Sequence, residues 1–294
     1  MSELRGIWAA VLTPIADGLE PDAGRAAPYY LDLLRNGCDG INVMGTTGEA
    51  MSFSTGQRIR YMEALAADGL PMDRAMVGTG ASSLDDAVRL TRVALDCGFS
   101  AALVMPPFFH RDASDEGIVA FFDALLARVN PSPHRVLLYN FPHMSGITFS
   151  PDLVDRLVAA SEGRIFGMKD SSNDARLQEE IARRHPEFCI FPGSESDLLG
   201  AKSRGAAGCI SGSVALWAHL AKEVFESEDA EKARELDRLR ETLDGLPFVP
   251  AVRHLTAAQR HDPQWERVMP PQRALSARER GRLLTLSSAD STLL

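Results

Sequence analysis

A lysine at the end of an apolar segment is the residue in this sequence best suited to covalent chemistry. Lysine occurs only four times in the 294 residues, and the other three fall in polar helical stretches typical of solvated surface. Lys169 closes an apolar segment in which the two-residue period of a strand places Ile165, Gly167 and Lys169 on one face. Apolar surroundings disfavour the ammonium form, and the neutral amine is the form that attacks a ketone to give an imine. The pattern predicts a Schiff-base lysine, with a structural lysine paired with Asp170 or another carboxylate as the alternative.

A tyrosine at the end of the preceding predicted strand is placed to assist such a lysine. Of the four tyrosines, only Tyr139 ends a strand, and the other three fall in predicted helices. Neighbouring strands lie about 5 Å apart, so Tyr139 and Lys169 could converge on one small ligand. A phenol beside the amine can relay protons to and from a hydroxyl group during carbon–carbon bond chemistry. The alternative is a core tyrosine that donates to a backbone carbonyl.

A turn rich in glycine and threonine, Gly45-Thr46-Thr47-Gly48-Glu49, follows the second predicted strand. Its glycines allow backbone N–H groups to point at an anion, and the two hydroxyl groups add donors. A carboxylate would suit this turn, although an ordinary connecting loop has the same composition. Together with the lysine and the tyrosine, the turn predicts a site for a small keto acid.

The elements that must position these residues alternate along the chain. Short apolar segments are followed by longer segments of helical periodicity, which is the α/β pattern. Each predicted strand is separated from the next by enough residues for the helix of a parallel crossover. The eight predicted strands are 6–13, 39–45, 75–80, 101–106, 135–140, 165–170, 188–192 and 208–212. Helices are predicted to begin after Ser54, Ser83, Ser114 and Ser150 and to end at Gly37, Gly69, Gly98 and Gly205.

Eight such units fit either a closed (β/α)8 barrel or a doubly wound open sheet. No G-x-G-x-x-G motif follows the first strand, and the polar residues are spread over the ends of several strands, so a TIM barrel is predicted. After residue 227 only helices are predicted, at 230–246 and 248–259. We therefore expect a catalytic barrel over 1–227 and a C-terminal helical extension over 228–294 that caps one face of it.

Composition limits the partners of the chain. With 31 Lys and Arg against 40 Asp and Glu, the net charge is −9, which offers no basic surface for nucleic acid. The four cysteines are far apart and form no C-x-x-C pair, which disfavours a zinc site and a disulfide scaffold and predicts a cytoplasmic protein. The apolar N-terminal segment is too short to span a membrane. We expect neither a metal nor a membrane partner.

In their order and spacing, these residues resemble the dihydrodipicolinate synthase / N-acetylneuraminate lyase family of pyruvate-type class I aldolases. The resemblance runs from Gly6 to about Pro271. The motifs that carry it are Gly45–Glu49, Tyr139–Pro142, Gly167–Ser172, Gly205–Ser211 and Pro270-Pro271. It implies a TIM barrel that acts on pyruvate or a related 2-oxo acid.

The resemblance also implies roles for individual residues. Lys169 would form the imine with the 2-oxo acid, and Tyr139 would relay protons with its hydroxyl group near Thr46. Gly45 and Thr47 would hold the substrate carboxylate, and Ile210 would line the pocket through its backbone carbonyl. No metal or organic cofactor is implied, because the protonated imine is itself the electron sink. Relatives are commonly homotetramers built from tight dimers, so a homo-oligomer is expected, with Phe108 and Phe109 at the tight contact.

Two departures from the synthase pattern concern specificity. Met144 stands where the synthase has an arginine that binds the distal carboxylate of its substrate, and Phe108-Phe109 stands where the synthase brings a tyrosine from a neighbouring subunit. Both disfavour the synthase reaction. The segment 141–146 looks more like that of the sugar-acid lyases, whose corresponding loop faces a polyol tail. By this resemblance, His143 and Ser145 of this chain could donate to the hydroxyl groups of such a tail. A solvent-exposed loop without ligand contact is the alternative.

These features predict a Schiff-base lyase that cleaves a 2-oxo-3-deoxy sugar acid to pyruvate and an aldehyde. A sugar-acid dehydratase would use the same imine, because one enamine-forming site serves both reactions. A 4-hydroxy-tetrahydrodipicolinate synthase is a weaker alternative. The alternative outside enzymes is a catalytically silent barrel that binds sugar acids and regulates another process.

Overall fold

Eight parallel strands build the centre of the molecule. The computed structural model describes residues 4–129 and 136–287, so the predicted strand residue 135 lies outside the described residues. Each predicted strand is present, although several end earlier than expected. The strands are β1 Gly6–Ala10, β2 Gly40–Val43, β3 Ala75–Gly78, β4 Ala101–Val104, β5 Val136–Asn140, β6 Ile165–Asp170, β7 Cys189–Pro192 and β8 Gly208–Ser211.

The strands follow one another around a barrel. The hydrogen-bonded order is β7-β6-β5-β4-β3-β2-β1-β8, so every strand pairs with its sequence neighbour and β8 returns to β1. The ring is completed between β7 and β8, where the backbone N–H of Ala207 donates to the carbonyl of Ile190 at 2.8 Å. This topology is the predicted TIM barrel, and the carboxyl ends of all strands meet at one face, where active sites of this fold form.

Helices connect successive strands and cover the barrel. They are α1 Ala23–Arg35, α2 Thr55–Ala67, α3 Leu84–Asp96, α4 Asp115–Arg128, α5 Pro142–Ser145, α6 Pro151–Ala160, α7 Ala175–Arg184, α8 Leu198–Ser203 and α9 Ala218–Ser227. The predicted helix starts are confirmed, because each serine side chain accepts a backbone N–H of the first turn; the serines are Ser54, Ser83, Ser114 and Ser150. The four predicted terminal glycines all have positive φ.

Three helices follow the barrel: α10 Ala230–Glu241, α11 Phe248–Gln259 and α12 Ala277–Ser287. The range predicted for α11 is confirmed, whereas α10 ends five residues before the predicted residue 246. A turn at Gly245, with φ +70°, precedes Pro247 and separates the two helices. The C-terminal helices are confirmed, and the division at residue 227 stays a prediction. In the described part of the chain, no helix has the length and apolar character needed to cross a bilayer.

Two groups of buried side chains fill the molecule. The larger group lies between the strands and the surrounding helices. The smaller group lies inside the barrel and includes Trp8, Met76, Leu137, Tyr139 and Ile210. Alternation along each strand separates the two groups, since successive side chains point to opposite faces. Tyr139 therefore belongs to the barrel interior near the face where the strands end.

Candidate active site

Lys169 and Tyr139 lie side by side at the carboxyl ends of adjacent strands. The pairing of β5 with β6 sets the two residues directly opposite each other. The Lys169 Nζ lies 4.6 Å from the centroid of the Tyr139 ring. Each residue is only 4% exposed. The structure thus brings together the amine and the phenol that the sequence singled out, while their catalytic roles stay predictions.

The Asp170 carboxylate is hydrogen-bonded to side chains other than Lys169. This concerns the alternative in which Lys169 is a structural residue paired with a carboxylate. Its carboxylate accepts hydrogen bonds from Asn140 Nδ2 and Gln178 Nε2, both at 2.7 Å, and from Ser172 Oγ at 2.9 Å. Asp170 is buried, and its side chain leaves the strand on the opposite face from Lys169. Within residues 4–129 and 136–287, no ion pair joins the two side chains. Asp170 instead anchors the end of β6 and the loop that follows it.

Thr46 connects the loop after β2 to the tyrosine. Its Oγ1 lies 3.2 Å from the Tyr139 hydroxyl oxygen, within hydrogen-bond distance, and either group can be the donor. Thr46 is partly exposed, whereas the neighbouring Thr47 is buried. The contact orients the phenol and gives it a partner for a proton. It agrees in geometry with the placement of Thr46 that the family resemblance implied.

The space around Thr47 admits only glycine at position 212. A Cβ added to Gly212 would lie 2.5 Å from Thr47 Oγ1, which is closer than real Cβ contacts. Gly45 is restricted in the same way, because its Cβ would lie 2.6 Å from Asn42 Nδ2. Ile210 precedes this region on β8 and is fully buried in the barrel interior. The three residues predicted to bind substrate through this loop and β8 therefore lie at the same end of the barrel.

The structure does not bring His143 and Ser145 into the cavity beside Tyr139. Both belong to α5, and His143 is exposed. The Ser145 hydroxyl lies 3.1 Å from the carbonyl oxygen of Phe141 and 3.0 Å from that of Ile147, and it accepts from the Ile147 N–H. These bonds hold the loop together and use the polar capacity of the serine. Contact with a polyol tail therefore receives no support from their placement.

A cavity of about 300 Å³ opens beside Tyr139 and Thr46. Its walls come from residues near the ends of β3, β4 and β5, from the segments that follow β2, β3, β4 and β5, and from one residue of the C-terminal region. Lys169 is not part of the cavity wall, but it lies next to Tyr139, which is. The lining residues are mostly apolar and include no lysine or arginine; they are Met44, Gly45, Thr46, Glu49, Ala50, Met51, Ser52, Gly78, Gly80, Leu103, Met105, Phe108, Tyr139, Met144 and Gln272.

Glu49 and Arg253 form a buried ion pair that sequence reasoning did not anticipate. Arg253 Nε donates to Glu49 Oε1 at 2.7 Å, and the exposed fractions of the two side chains are 0% and 1%. Arg253 also donates to the carbonyl of Thr13 at 2.8 Å, and Glu49 Oε2 accepts from the N–H of Met269 at 2.8 Å. Glu49 has a left-handed backbone, with φ +54°. These bonds tie the loop that carries Thr46 and Thr47 to the C-terminal helices.

Two buried guanidinium groups support the walls of the cavity. Burial lowers the pKa of Arg253, and the Glu49 carboxylate acts in the opposite direction. Burial also lowers the pKa of Arg58, to about 10, so that this side chain stays charged at neutral pH. Arg58 donates to the carbonyl oxygens of Gly78 and Gly80, at 2.9 and 3.2 Å. The end of β3 is thereby fixed where it borders the cavity.

Comparison with known proteins agrees with this geometry. A model of the dihydrodipicolinate synthetase family matches residues 3–256. An uncharacterized DapA-like lyase of Chloroflexus aurantiacus is 34% identical over 259 residues, which is 86% of each chain. An N-acetylneuraminate lyase of Rhizobium meliloti is 35% identical over 211 residues, covering 71% of this chain and 67% of the relative. Among solved structures, dihydrodipicolinate synthase from Agrobacterium tumefaciens superposes with a TM-score of 0.91 at 29% identity, covering 97% of this chain and 99% of that one.

Proposed function

Because the chain belongs to the dihydrodipicolinate synthetase family and is a lyase for pyruvate-type substrates, we propose that it cleaves a 2-oxo-3-deoxy sugar acid through an imine on Lys169. The products are pyruvate and an aldehyde. One observation carries the proposal: the buried Lys169 amine lies 4.6 Å from the ring of Tyr139, whose hydroxyl group contacts Thr46. A nucleophile, a proton relay and a partner for that relay meet at the carboxyl ends of the strands.

The reaction begins when the neutral Lys169 amine adds to the C2 ketone. The Tyr139 hydroxyl group then gives its proton to the departing oxygen, so that water leaves and the iminium ion and the Tyr139 phenolate form together. Tyr139, as phenolate, takes the proton of the C4 hydroxyl group, the C3–C4 bond breaks and the aldehyde departs. The electron pair of that bond moves into the iminium ion and forms an enamine. The Tyr139 hydroxyl group gives its proton to C3, and addition of water to the resulting iminium ion then releases pyruvate and the free amine. The hydrogen bond with Thr46 keeps the phenol directed at the reacting hydroxyl group.

The substrate carboxylate binds at the loop after β2 in this mechanism. Thr47 offers its hydroxyl group and backbone N–H, and Gly45 allows the backbone to approach the anion closely. The carbonyl of Ile210 borders the same pocket from β8. Burial of Thr47 and the close packing of Gly212 against it support a preformed site, because both restrict the movement of the threonine side chain. These roles are part of the proposal.

The lining of the cavity favours a sugar acid over a dicarboxylate. No lysine or arginine lines it, and Met144 stands in its wall, so a second carboxylate would lose its hydration without gaining a cation. Ser52 and Gln272 line the same cavity and offer hydrogen bonds to neutral hydroxyl groups. The relative from Rhizobium meliloti, an N-acetylneuraminate lyase, supports the same substrate class. Ser52 and Gln272 replace His143 and Ser145 as the residues that contact the tail.

A panel of 2-oxo-3-deoxy acids tests the proposed reaction. Purified protein is incubated with each acid, and pyruvate is measured by its reduction with lactate dehydrogenase. Release of pyruvate in step with the aldehyde is the expected result. Consumption of the acid without pyruvate would establish a dehydratase instead. A rise in melting temperature with no turnover on any acid would indicate a binding protein.

The exposed apolar residues around the cavity support a homo-oligomer. Phe109 is 79% exposed, and Met51 and Met144 are each 51% exposed. Phe108, beside Phe109, lines the cavity. A second copy of the chain that covers this surface would bury these side chains and restrict the access of water to Tyr139. Sedimentation equilibrium tests this part of the proposal, for which a dimer or tetramer is expected and a monomer at micromolar concentration would contradict it.

A further inference from the structure

Asn42 is a polar side chain buried inside the barrel wall without a partner. The residue lies on β2 and is 0% exposed. Neither its Nδ2 nor its Oδ1 has a hydrogen-bond partner within the part of the chain that the structure describes. Buried amide groups in folded proteins are nearly always hydrogen-bonded to protein, water or ligand. The side chain of Asn42 is therefore suited to binding a small polar molecule at this point.

The pairing of the strands places Asn42 in the same layer of the barrel as Lys169. Interior side chains of such a barrel form layers of four from alternate strands, with a shift of roughly two residues from one member to the next. With this shift, the observed strand register places four interior residues in one layer: Ile210, Asn42, Leu103 and Lys169. Strands β2 and β6 are four places apart in the ring of eight. Asn42 therefore faces Lys169 across the barrel axis.

The surroundings of Asn42 direct its amide towards the proposed carboxylate loop. A Cβ on Gly45 would lie 2.6 Å from Asn42 Nδ2, so the amide nitrogen lies directly beneath the start of that loop. Its register partner on β1 is Ala10, which has a small apolar side chain. The carboxamide thus adds a donor and an acceptor beneath Gly45, in the interior layer that also contains Lys169. A site with a donor and an acceptor in such surroundings suits a single water molecule.

We propose that Asn42 holds the water molecule that imine chemistry at Lys169 releases and consumes. This inference rests on the proposed function. At the end of turnover, that water adds to C2 of the pyruvate iminium ion and Tyr139, as phenolate, takes one of its protons. The carbinolamine then transfers its hydroxyl proton to nitrogen as the C–N bond breaks. Pyruvate leaves with the oxygen of that water, and the neutral amine of Lys169 is restored. Imine formation follows the same steps in reverse.

The inference predicts that Asn42 controls how fast the imine forms and hydrolyses, and not how much of it is present at equilibrium. The test loads the enzyme with ¹³C-labelled pyruvate, adds excess unlabelled pyruvate and quenches samples with borohydride at successive times. Mass spectrometry then follows the replacement of labelled by unlabelled adduct on Lys169. The variants are Asn42→Leu, which keeps the size and removes both polar atoms, and Asn42→Ser, which keeps a hydroxyl group and space for water. Met76→Leu, at a buried apolar register partner of Asn42, is the control.

Asn42→Leu is expected to slow label replacement about 100-fold while the total adduct at saturating pyruvate stays within twofold of the wild type. Asn42→Ser should stay within about tenfold of the wild-type rate, and Met76→Leu should match the wild type. An unchanged rate in Asn42→Leu would overturn the inference. Loss of the equilibrium adduct without a slower exchange would also overturn it and would assign Asn42 to the substrate carboxylate.

The experiment also distinguishes failure of the imine chemistry itself and failure of a variant to fold from failure of the role of Asn42. If the wild type forms no adduct with pyruvate, the proposed function fails, and the role of Asn42, which depends on the imine, fails with it. If Asn42→Leu does not fold, Asn42→Val carries the same expectation with a smaller side chain that fits the same space. A wild-type adduct combined with fast exchange in a folded Asn42→Val protein contradicts the role of Asn42 alone.

Discussion

Arg253 of α11 and Glu49 of the loop after β2 form a fully buried ion pair across 204 residues of sequence. The pair joins the C-terminal helices to the loop that carries Thr46 and Thr47. A loop that binds an anion must hold its donors in place before the ligand arrives, because ordering them on binding weakens affinity. The C-terminal region therefore supports the candidate site through this ion pair.

Removal of the arginine should destabilise the fold strongly. Arg253→Met leaves the Glu49 carboxylate buried without its cation, and we expect the free energy of unfolding to fall by about 3–5 kcal/mol. Urea denaturation followed by circular dichroism measures this loss. The double variant Glu49→Leu/Arg253→Met should lose less than the single variant, because it buries no unpaired charge.

A matched control for that pair is available on the surface. Arg273 and Glu279 form an ion pair in which the arginine side chain is 62% exposed. Arg273→Met should leave the urea midpoint nearly unchanged, since exposed pairs contribute little. Equal losses in the free energy of unfolding for Arg273→Met and Arg253→Met would show that burial does not determine how much the Glu49–Arg253 pair contributes to stability.

The Tyr139 hydroxyl group should control the rates of proton transfer without changing how much imine is present at equilibrium. Tyr139→Phe removes the contact with Thr46 and the proton relay, and we expect kcat to fall by about 10²–10⁴-fold while the borohydride adduct with pyruvate still forms. Thr46→Val keeps the phenol and should have a smaller effect on kcat. A Tyr139→Phe enzyme with wild-type kcat would rule out the tyrosine as the relay.

Substitution of Gly212 should weaken substrate binding through Thr47. The Cβ of Gly212→Ala would lie 2.5 Å from Thr47 Oγ1, so the threonine must shift away from the proposed carboxylate position. We expect KM to rise at least about tenfold, since losing one hydrogen bond to a charged group costs roughly this factor or more. Gly117→Ala on α4 is the control, because its Cβ has ordinary contact distances. Unchanged KM in Gly212→Ala would indicate that Thr47 does not bind the carboxylate.

A cation in the cavity wall should change the substrate preference. Met144→Arg places a guanidinium group where the distal part of a substrate is proposed to lie. We expect kcat/KM for the condensation of pyruvate with aspartate semialdehyde to rise about tenfold or more, because the second carboxylate then finds a partner. The ratio of this value to kcat/KM for the best sugar acid is the measurement. Met144→Gln, which adds polarity without charge, should leave the ratio unchanged.

The sequence was sufficient to predict the barrel and the residues at the ends of its strands. Strand periodicity fixed the faces of Lys169 and Tyr139, and serine and glycine at helix ends defined the crossovers. Both patterns depend only on residues that are near one another in the sequence, so they can be recognised without knowledge of tertiary packing. The placement of Thr46 against Tyr139 followed from family resemblance, because no local pattern relates residues in different loops.

The residues that sequence analysis missed depend on long-range contacts. Arg253 stands in an ordinary amphipathic helix, and nothing in its local sequence distinguishes it from the many solvated arginines of the chain. Asn42 left a weak signal as the one polar residue between Ile41 and Val43 in an apolar strand. The roles of His143 and Ser145 rested on family resemblance and stay predictions; the local sequence does not show that the Ser145 hydroxyl group is already used within its own loop.

The most direct test of the imine mechanism is reduction of the enzyme with borohydride in the presence of pyruvate, followed by peptide mass spectrometry. The mechanism predicts a single reduced pyruvate adduct on Lys169, absent from Lys169→Arg and absent when pyruvate is omitted. Lys202, Lys222 and Lys232 are internal controls in the same digest, because they lie outside the proposed site. No adduct, or an adduct on one of those three lysines with Lys169 unmodified, would contradict the imine mechanism.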